Sequence, residues 1–134
     1  MSHEVVSMNM STNPNFVSVI RLTTSGIASR MGFTLDDIDD LKVSISEACT
    51  NAIKHSKEDS FEVIFHIYDD RLTIEVNDKG TGYDKTQVKE PDLKNPQTSG
   101  LGLFIIKTLM DEVEINTCSE KGTSIKMTKI VGVE

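Results

Sequence analysis

The sequence predicts a two-layer α/β sandwich, a mixed and mostly antiparallel sheet with its helices on one face. Three observations predict it. Two segments in the N-terminal half, 13–31 and 34–55, open on helix-capping residues and carry apolar side chains at helical spacing. Two pairs of β-branched apolar runs, FEVIFHIY with RLTIEVND and VEINTC with TSIKMTKI, are separated by short polar turns and read as antiparallel hairpins. The chain has 134 residues and no internal repeat. Domains peak at roughly 100–150 residues, so 1–134 is expected to fold as a single domain.

Taken in order, residues 4–10, EVVSMNM, read as a short edge strand. Asn13 followed by Pro14 starts a helix to about Met31, with a capping side chain before a proline at the first helical position, and Gly32 allows the turn. At TLDD, Thr34 can cap a second helix whose first turn carries Asp36 and Asp37 at the positive end of the dipole; it should last until His55. The runs 61–68 and 71–78 form the first hairpin across Asp69 and Asp70. The polar stretch DKGTGYDKTQVKEPDLKNPQTSG, with Pro91 and Pro96, reads as a loop of about 20 residues, a length that is usually functional or disordered in a compact domain. GLGLFIIKTLMD makes a short helix, and 113–118 and 123–130 pair across SEKG.

Composition excludes several classes. With 14 basic against 21 acidic residues the net charge is −7, which argues against direct nucleic-acid binding, because that affinity rests largely on Lys and Arg displacing counterions. The sequence has no apolar run of about 18 residues to span a bilayer, and MSHEVVSMNMSTNPN lacks the basic start and apolar core of a signal peptide. A cytoplasmic protein without membrane contact is expected. Cys49 and Cys118 have neither zinc-site spacing nor disulfide-scaffold density, and are expected to be reduced and structural.

The second helix poses a question. At about 100° per residue, Ile38, Leu41, Ile45, Ala48, Cys49 and Ala52 share one face, while Glu47, Asn51, Lys54 and His55 cluster on the opposite side. A solvated face would explain the Glu and Lys. It does not explain Asn51, a mediocre helix former at mid-helix.

Two glycine motifs add to it. Asp78-Lys-Gly80-Thr-Gly82 follows a strand: the carboxylate can accept from an exocyclic amine, and the glycines let the backbone turn beside a flat ring. Gly100-Leu101-Gly102-Leu103 opens a helix, whose free N–H groups and dipole suit a phosphate. Singly, such glycine pairs are more often plain turns. There is no GxxxxGK[ST], and the third glycine of a dinucleotide fingerprint is missing, so neither a P-loop nor a Rossmann site is read here.

Together and in this order, ExxxNAxKH, DxGxG and GLGL resemble the asparagine box and the two glycine boxes of the GHKL superfamily, over roughly residues 35–125. Within it, IRLTTSGIASRMG, DLKVSISEACTNA, GLGLFIIKTLMDEVEI and MTK are similar to the anti-sigma-B factors that are also serine-protein kinases, a likeness running nearly end to end. The resemblance implies the Bergerat ATP-binding fold, with ATP and Mg²⁺ as cofactors. It implies Glu47 as general base and Asn51 as the amide oxygen on Mg²⁺, an ion that keeps several waters and needs few protein ligands. Lys54 and His55 would face the phosphates, as would the backbone of Ser99, Gly100, Leu101, Gly102 and Leu103. Asp78 would read adenine, Gly80 and Gly82 would line the base pocket, and Thr123 would hold Asp78 and its water. Residues 83–99 would be the lid. This lid is short and has no arginine for the γ-phosphate; Lys85, Lys89 and Lys94 are the cations available to replace it.

The implied partners are a sigma factor, kept from RNA polymerase, and an anti-anti-sigma protein inactivated by phosphorylation of one serine, with a homodimer as the assembly. The alternative is a nucleotide-dependent sigma-binding module without kinase activity; the intact Glu47 and Asn51 favour the kinase. No phosphoacceptor helix of the histidine-kinase type is seen, and the likeness at both ends opposes an ATPase fragment of a larger machine. On the first helix, Phe16, Ile20, Ile27 and Met31 form the expected buried stripe, with Arg21 on its solvent-side flank, where the resemblance places an arginine presented to the sigma factor. Arginine otherwise occurs only at Arg30 and Arg71 in a chain that favours lysine.

Overall fold

The computed structural model describes residues 3–79, 101–118 and 122–132, the side chain of Cys118 excepted. Among the described residues, five strands and three α-helices run in the order β1 (Glu4–Ser11), α1 (Val17–Met31), α2 (Leu35–His55), β2 (Ser60–Ile67), β3 (Arg71–Asp78), α3 (Leu101–Leu109), β4 (Glu112–Cys118) and β5 (Gly122–Ile130). The strand order is β1-β2-β3-β5-β4, and every pairing among the described residues is antiparallel. β1 is an edge strand, as expected. No described helix is long and apolar enough to cross a membrane.

The helix ends form where side chains satisfy orphan backbone groups. Asn13 Oδ1 accepts from the Asn15 N–H at 2.9 Å, but Pro14–Phe16 wind as a 3₁₀ turn before α1 begins. Gly32 ends α1 in the left-handed region at φ 91°, where a Cβ would be strained. Thr34 Oγ1 then accepts from the Asp37 N–H at 3.2 Å and starts α2.

The α1 stripe differs from expectation. Ile20, Thr24 and Ala28 are its buried residues, with Ile27 and Met31 packed at the margin, whereas Phe16 is 45% exposed. Phe16 belongs to the 3₁₀ turn, so the α-helical period does not carry it onto the buried face. Thr24 is tolerated inside because its hydroxyl donates to the Ile20 carbonyl at 2.8 Å.

α2 lies on β3 between α1 and α3. All six expected core positions of α2 are buried, and Ser44 joins them. They meet the inner face of the sheet, where Val63, Phe65, Leu72, Ile74, Val76, Ile125 and Met127 are fully or almost fully buried. Strict alternation in β3 fixes its register, since a one-residue slip would turn Leu72, Ile74 and Val76 outward. On the outer face Thr73 and Thr128 share a hydrogen bond at 2.9 Å, and His66 pairs with Glu75.

The same period makes the inner face polar at both ends. Lys129, at one end of β5, donates to the Leu109 carbonyl at 2.6 Å and lies 3.5 Å from Asp40 and 3.8 Å from Asp37. This cation joins the C-terminus of α3 to the acidic N-terminal half of α2, and the opposite helix ends therefore gather at the other end of the sheet.

Candidate active site

That other end holds Asp78, the last inward position of β3, where period two would otherwise place another aliphatic residue. It is 4% exposed. Directly across the ladder is Thr123 of β5, 3% exposed, whose hydroxyl has no hydrogen-bond partner among the described residues. At this end of the sheet is a cavity of about 300 Å³, lined by Asp78, Thr117 and Thr123 together with Gly122 and with Asn77, Asn116 and Ser124, which alternate to the outer face. This is the low end of the range for small-molecule sites. A buried carboxylate and an orphan hydroxyl at one cavity wall fit a ligand that brings both a donor and an acceptor.

The polar face of α2 runs from this pair towards α3. Glu47, Asn51 and His55 are half-buried and only Lys54 is exposed, so the face is largely covered rather than solvated. Glu47 reaches the first turn of α3, where its Oε2 lies 2.8 Å from the point a Cβ on Gly102 would occupy. Asn51 stands one turn farther along α2. The two offer hard oxygen donors of the kind Mg²⁺ takes, and the first turn of a helix such as α3 is where N–H groups suit phosphate oxygens.

His55, at the end of α2, is held below the ordinary histidine pKa, first by burial and next by the Lys54 ammonium, while the Asp78 carboxylate opposes the shift. His55 therefore senses Asp78, and α2 and β3 deliver these residues to one place. Protonation is costlier in the folded chain, so the unfolded chain binds the proton first as pH falls through about 6.5. Stability should decline from there down to the lower folded pKa, then level off. His55→Gln should flatten that part of the curve, as read by urea midpoints from neutral to acidic pH; an unchanged slope would assign it to other groups. Cys49, on the buried face of the same helix, is pushed up to about 12 by burial and keeps its proton.

Of the residues singled out from the sequence, the structure brings Glu47, Asn51 and His55 of α2, Asp78, Thr123 and the Leu101–Leu103 turn to one end of the fold. Arg21 stands apart on the exposed side of α1. Gly80, Gly82, Ser99, Gly100 and the lid 83–99, with Lys85, Lys89 and Lys94, lie outside the described residues. Asn77, Asn116, Thr117 and Ser124 were not singled out. The signal for them was the second hairpin, because pairing Thr117 with Thr123 and Asn116 with Ser124 sets β4 beside the cavity.

The fold is that of a histidine kinase-like ATPase domain, and the model of that family matches residues 10–129. The chain is 42% identical to the serine-protein kinase RsbW of Bacillus velezensis over 147 residues, covering 99% of this chain and 89% of that protein. It is also 42% identical over 145 residues to the serine-protein kinase RsbW of Bacillus subtilis, covering 98% and 88% of the two chains. Among solved structures, the RsbU and RsbW domains of a Mycobacterium tuberculosis protein superpose with a TM-score of 0.72 at 18% identity, a likeness of fold that spans 97% of this chain and 33% of that one. The chain belongs to the histidine kinase-like ATPases and, within them, to the RsbW family of serine-protein kinases.

Proposed function

We propose that this chain is a cytoplasmic, ATP-dependent serine-protein kinase and anti-sigma factor, organised as one domain over 1–134. It sequesters a sigma-B-like sigma factor and phosphorylates a serine of an anti-anti-sigma protein, so inactivating it. The observation that carries the kinase reading is the Glu47 carboxylate resting on the first turn of α3, where phosphate-binding N–H groups and a proton acceptor meet. Identity of 42% to RsbW kinases over nearly the whole chain supports it.

In this reading the serine oxygen attacks the γ-phosphorus of ATP, the bond to the bridging oxygen of ADP breaks, and the serine proton passes to Glu47. Little else is asked of the protein than alignment and charge stabilisation. The N–H groups of Leu101, Gly102 and Leu103, with Ser99 and Gly100, hold phosphate oxygens, and Lys54 and His55 add charge and hydrogen bonds from α2. Asn51 would hold Mg²⁺, which supplies charge neutralisation on the phosphates. Asp78 accepts from the adenine amine, Thr123 supports Asp78, and Gly80 and Gly82 border the base. A homodimer is the assembly this reading adopts, on the likeness to the RsbW kinases.

The test is to mix the chain with Mg·ATP and a candidate anti-anti-sigma protein and weigh both by mass spectrometry. One added phosphate on the partner is expected. A partner left unmodified although ATP binds would favour the sigma-binding module without kinase activity.

Asp78→Asn replaces an acceptor pair by an amide of the same shape. It should cost about 1.5–3 kcal/mol of ATP binding, the range for hydrogen bonds to charged groups, or roughly 10- to 150-fold in Kd, and should erase the preference for ATP over GTP. Calorimetry with both nucleotides checks this; retained affinity and selectivity would place the adenine elsewhere.

A further inference from the structure

Gly102 is the second residue of α3, a position where glycine is intrinsically disfavoured against alanine. Its surroundings supply a reason. An ideal Cβ at 102 falls 2.8 Å from Glu47 Oε2, closer than non-bonded carbon and oxygen atoms approach, and 3.7 Å from the Glu47 Cβ and Cδ. Among the described residues outside its own helix turn, those three are the nearest atoms it would meet, all from one side chain. The closest is the free end of a flexible chain, so a methyl group there would be accommodated by swinging the carboxylate aside rather than by moving backbone.

We infer that Gly102 is a positioning residue for phosphoryl transfer: its missing Cβ keeps open the space in which the Glu47 carboxylate rests against α3. The inference rests on Glu47 being the base, as proposed above. Gly102 thus has two separable duties, since its N–H remains available to a phosphate while its bare Cα holds clearance for the carboxylate. A substituent would leave the N–H in place and move the base. Displacing a reacting group by about 1 Å can cost about 10²-fold in rate, whereas a helix gains stability when glycine becomes alanine. The expected signature is a protein that is no less stable, still binds nucleotide, and transfers phosphate poorly. A glycine serving only the fold would show the reverse.

The experiment compares the wild type, Gly102→Ala, Glu47→Gln and both together, reading melting temperature, ATP affinity by calorimetry, and phosphate transfer by mass spectrometry. Gly102→Ala should melt at the wild-type temperature or above and bind ATP near wild-type affinity. Its transfer should fall by about 10²-fold, with no further loss when it is added to Glu47→Gln. Glu47→Asp combined with Gly102→Ala should recover part of the rate lost by Gly102→Ala alone, because the shorter side chain draws the carboxylate away from the methyl group. Wild-type transfer by Gly102→Ala would overturn the inference. So would an equal further loss in the Glu47→Gln background, or a fall in ATP affinity that accounts for the slower rate; each would mean that Gly102 serves the nucleotide alone or nothing. If Glu47→Gln itself transfers at the wild-type rate, Glu47 is not the base and this inference falls with it. If Glu47→Gln is slow and Gly102→Ala is fast, only this inference fails.

Discussion

Glu47→Gln is expected to bind ATP as tightly as the wild type and to transfer phosphate more slowly by about 10²–10⁴-fold, the range for lost general-base help. Glutamine keeps the length and shape of the side chain, so the clearance at Gly102 and the packing of α2 against α3 are preserved. What it lacks is a site that can take the serine proton. The carboxylate also meets the positive end of α3, and a neutral amide forgoes that attraction, worth about 0.3–1 kcal/mol. This is a minor effect beside the rate loss. Single-turnover transfer to the partner protein, with ATP affinity measured separately, separates chemistry from binding. Unchanged turnover would remove Glu47 from the mechanism.

Arg21→Glu should abolish most sigma-factor binding while leaving ATP affinity near wild type. Arg21 is exposed on α1 and has no ion-pair partner among the described residues, so its guanidinium is available for a bidentate contact with a carboxylate on a partner. Its neighbour Leu22 is 74% exposed, and Val19 on the same helix is also exposed. Reversing the charge on one member of a desolvated pair costs about 2–5 kcal/mol or more, at least about 30-fold in Kd. ATP should be indifferent, because α1 and α3 flank α2 on separate sides and Glu47 faces α3. Calorimetry with sigma factor and with ATP separately reads both. Persistent sigma binding, or a parallel loss of ATP affinity, would return Arg21 to the role of an ordinary surface charge.

Whatever depends on neighbours a few residues apart was legible in the order of amino acids. Thr34 and Gly32 set the ends of the helices, the six apolar residues of α2 set its buried face, and alternation in β3 set which side chains point inward. Each follows from a fixed local period of 3.6 or 2 residues. Whatever depends on distant segments meeting emerged only on folding. Phe16 left the buried face because the chain enters α1 through a 3₁₀ turn. Thr24 was buried because its hydroxyl found the Ile20 carbonyl, which hydropathy does not register. Asp78 met Thr123 because β3 pairs with β5 rather than with β4, and sheet order has no local period to reveal it. The need for glycine at 102 also lay beyond the motif, since the steric reason is a carboxylate carried by another helix, 55 positions earlier in the chain at Glu47. Short-range spacing can name the residues of such a site, but contacts between elements decide which of them touch, because side-chain volume excludes only what folding has already brought close.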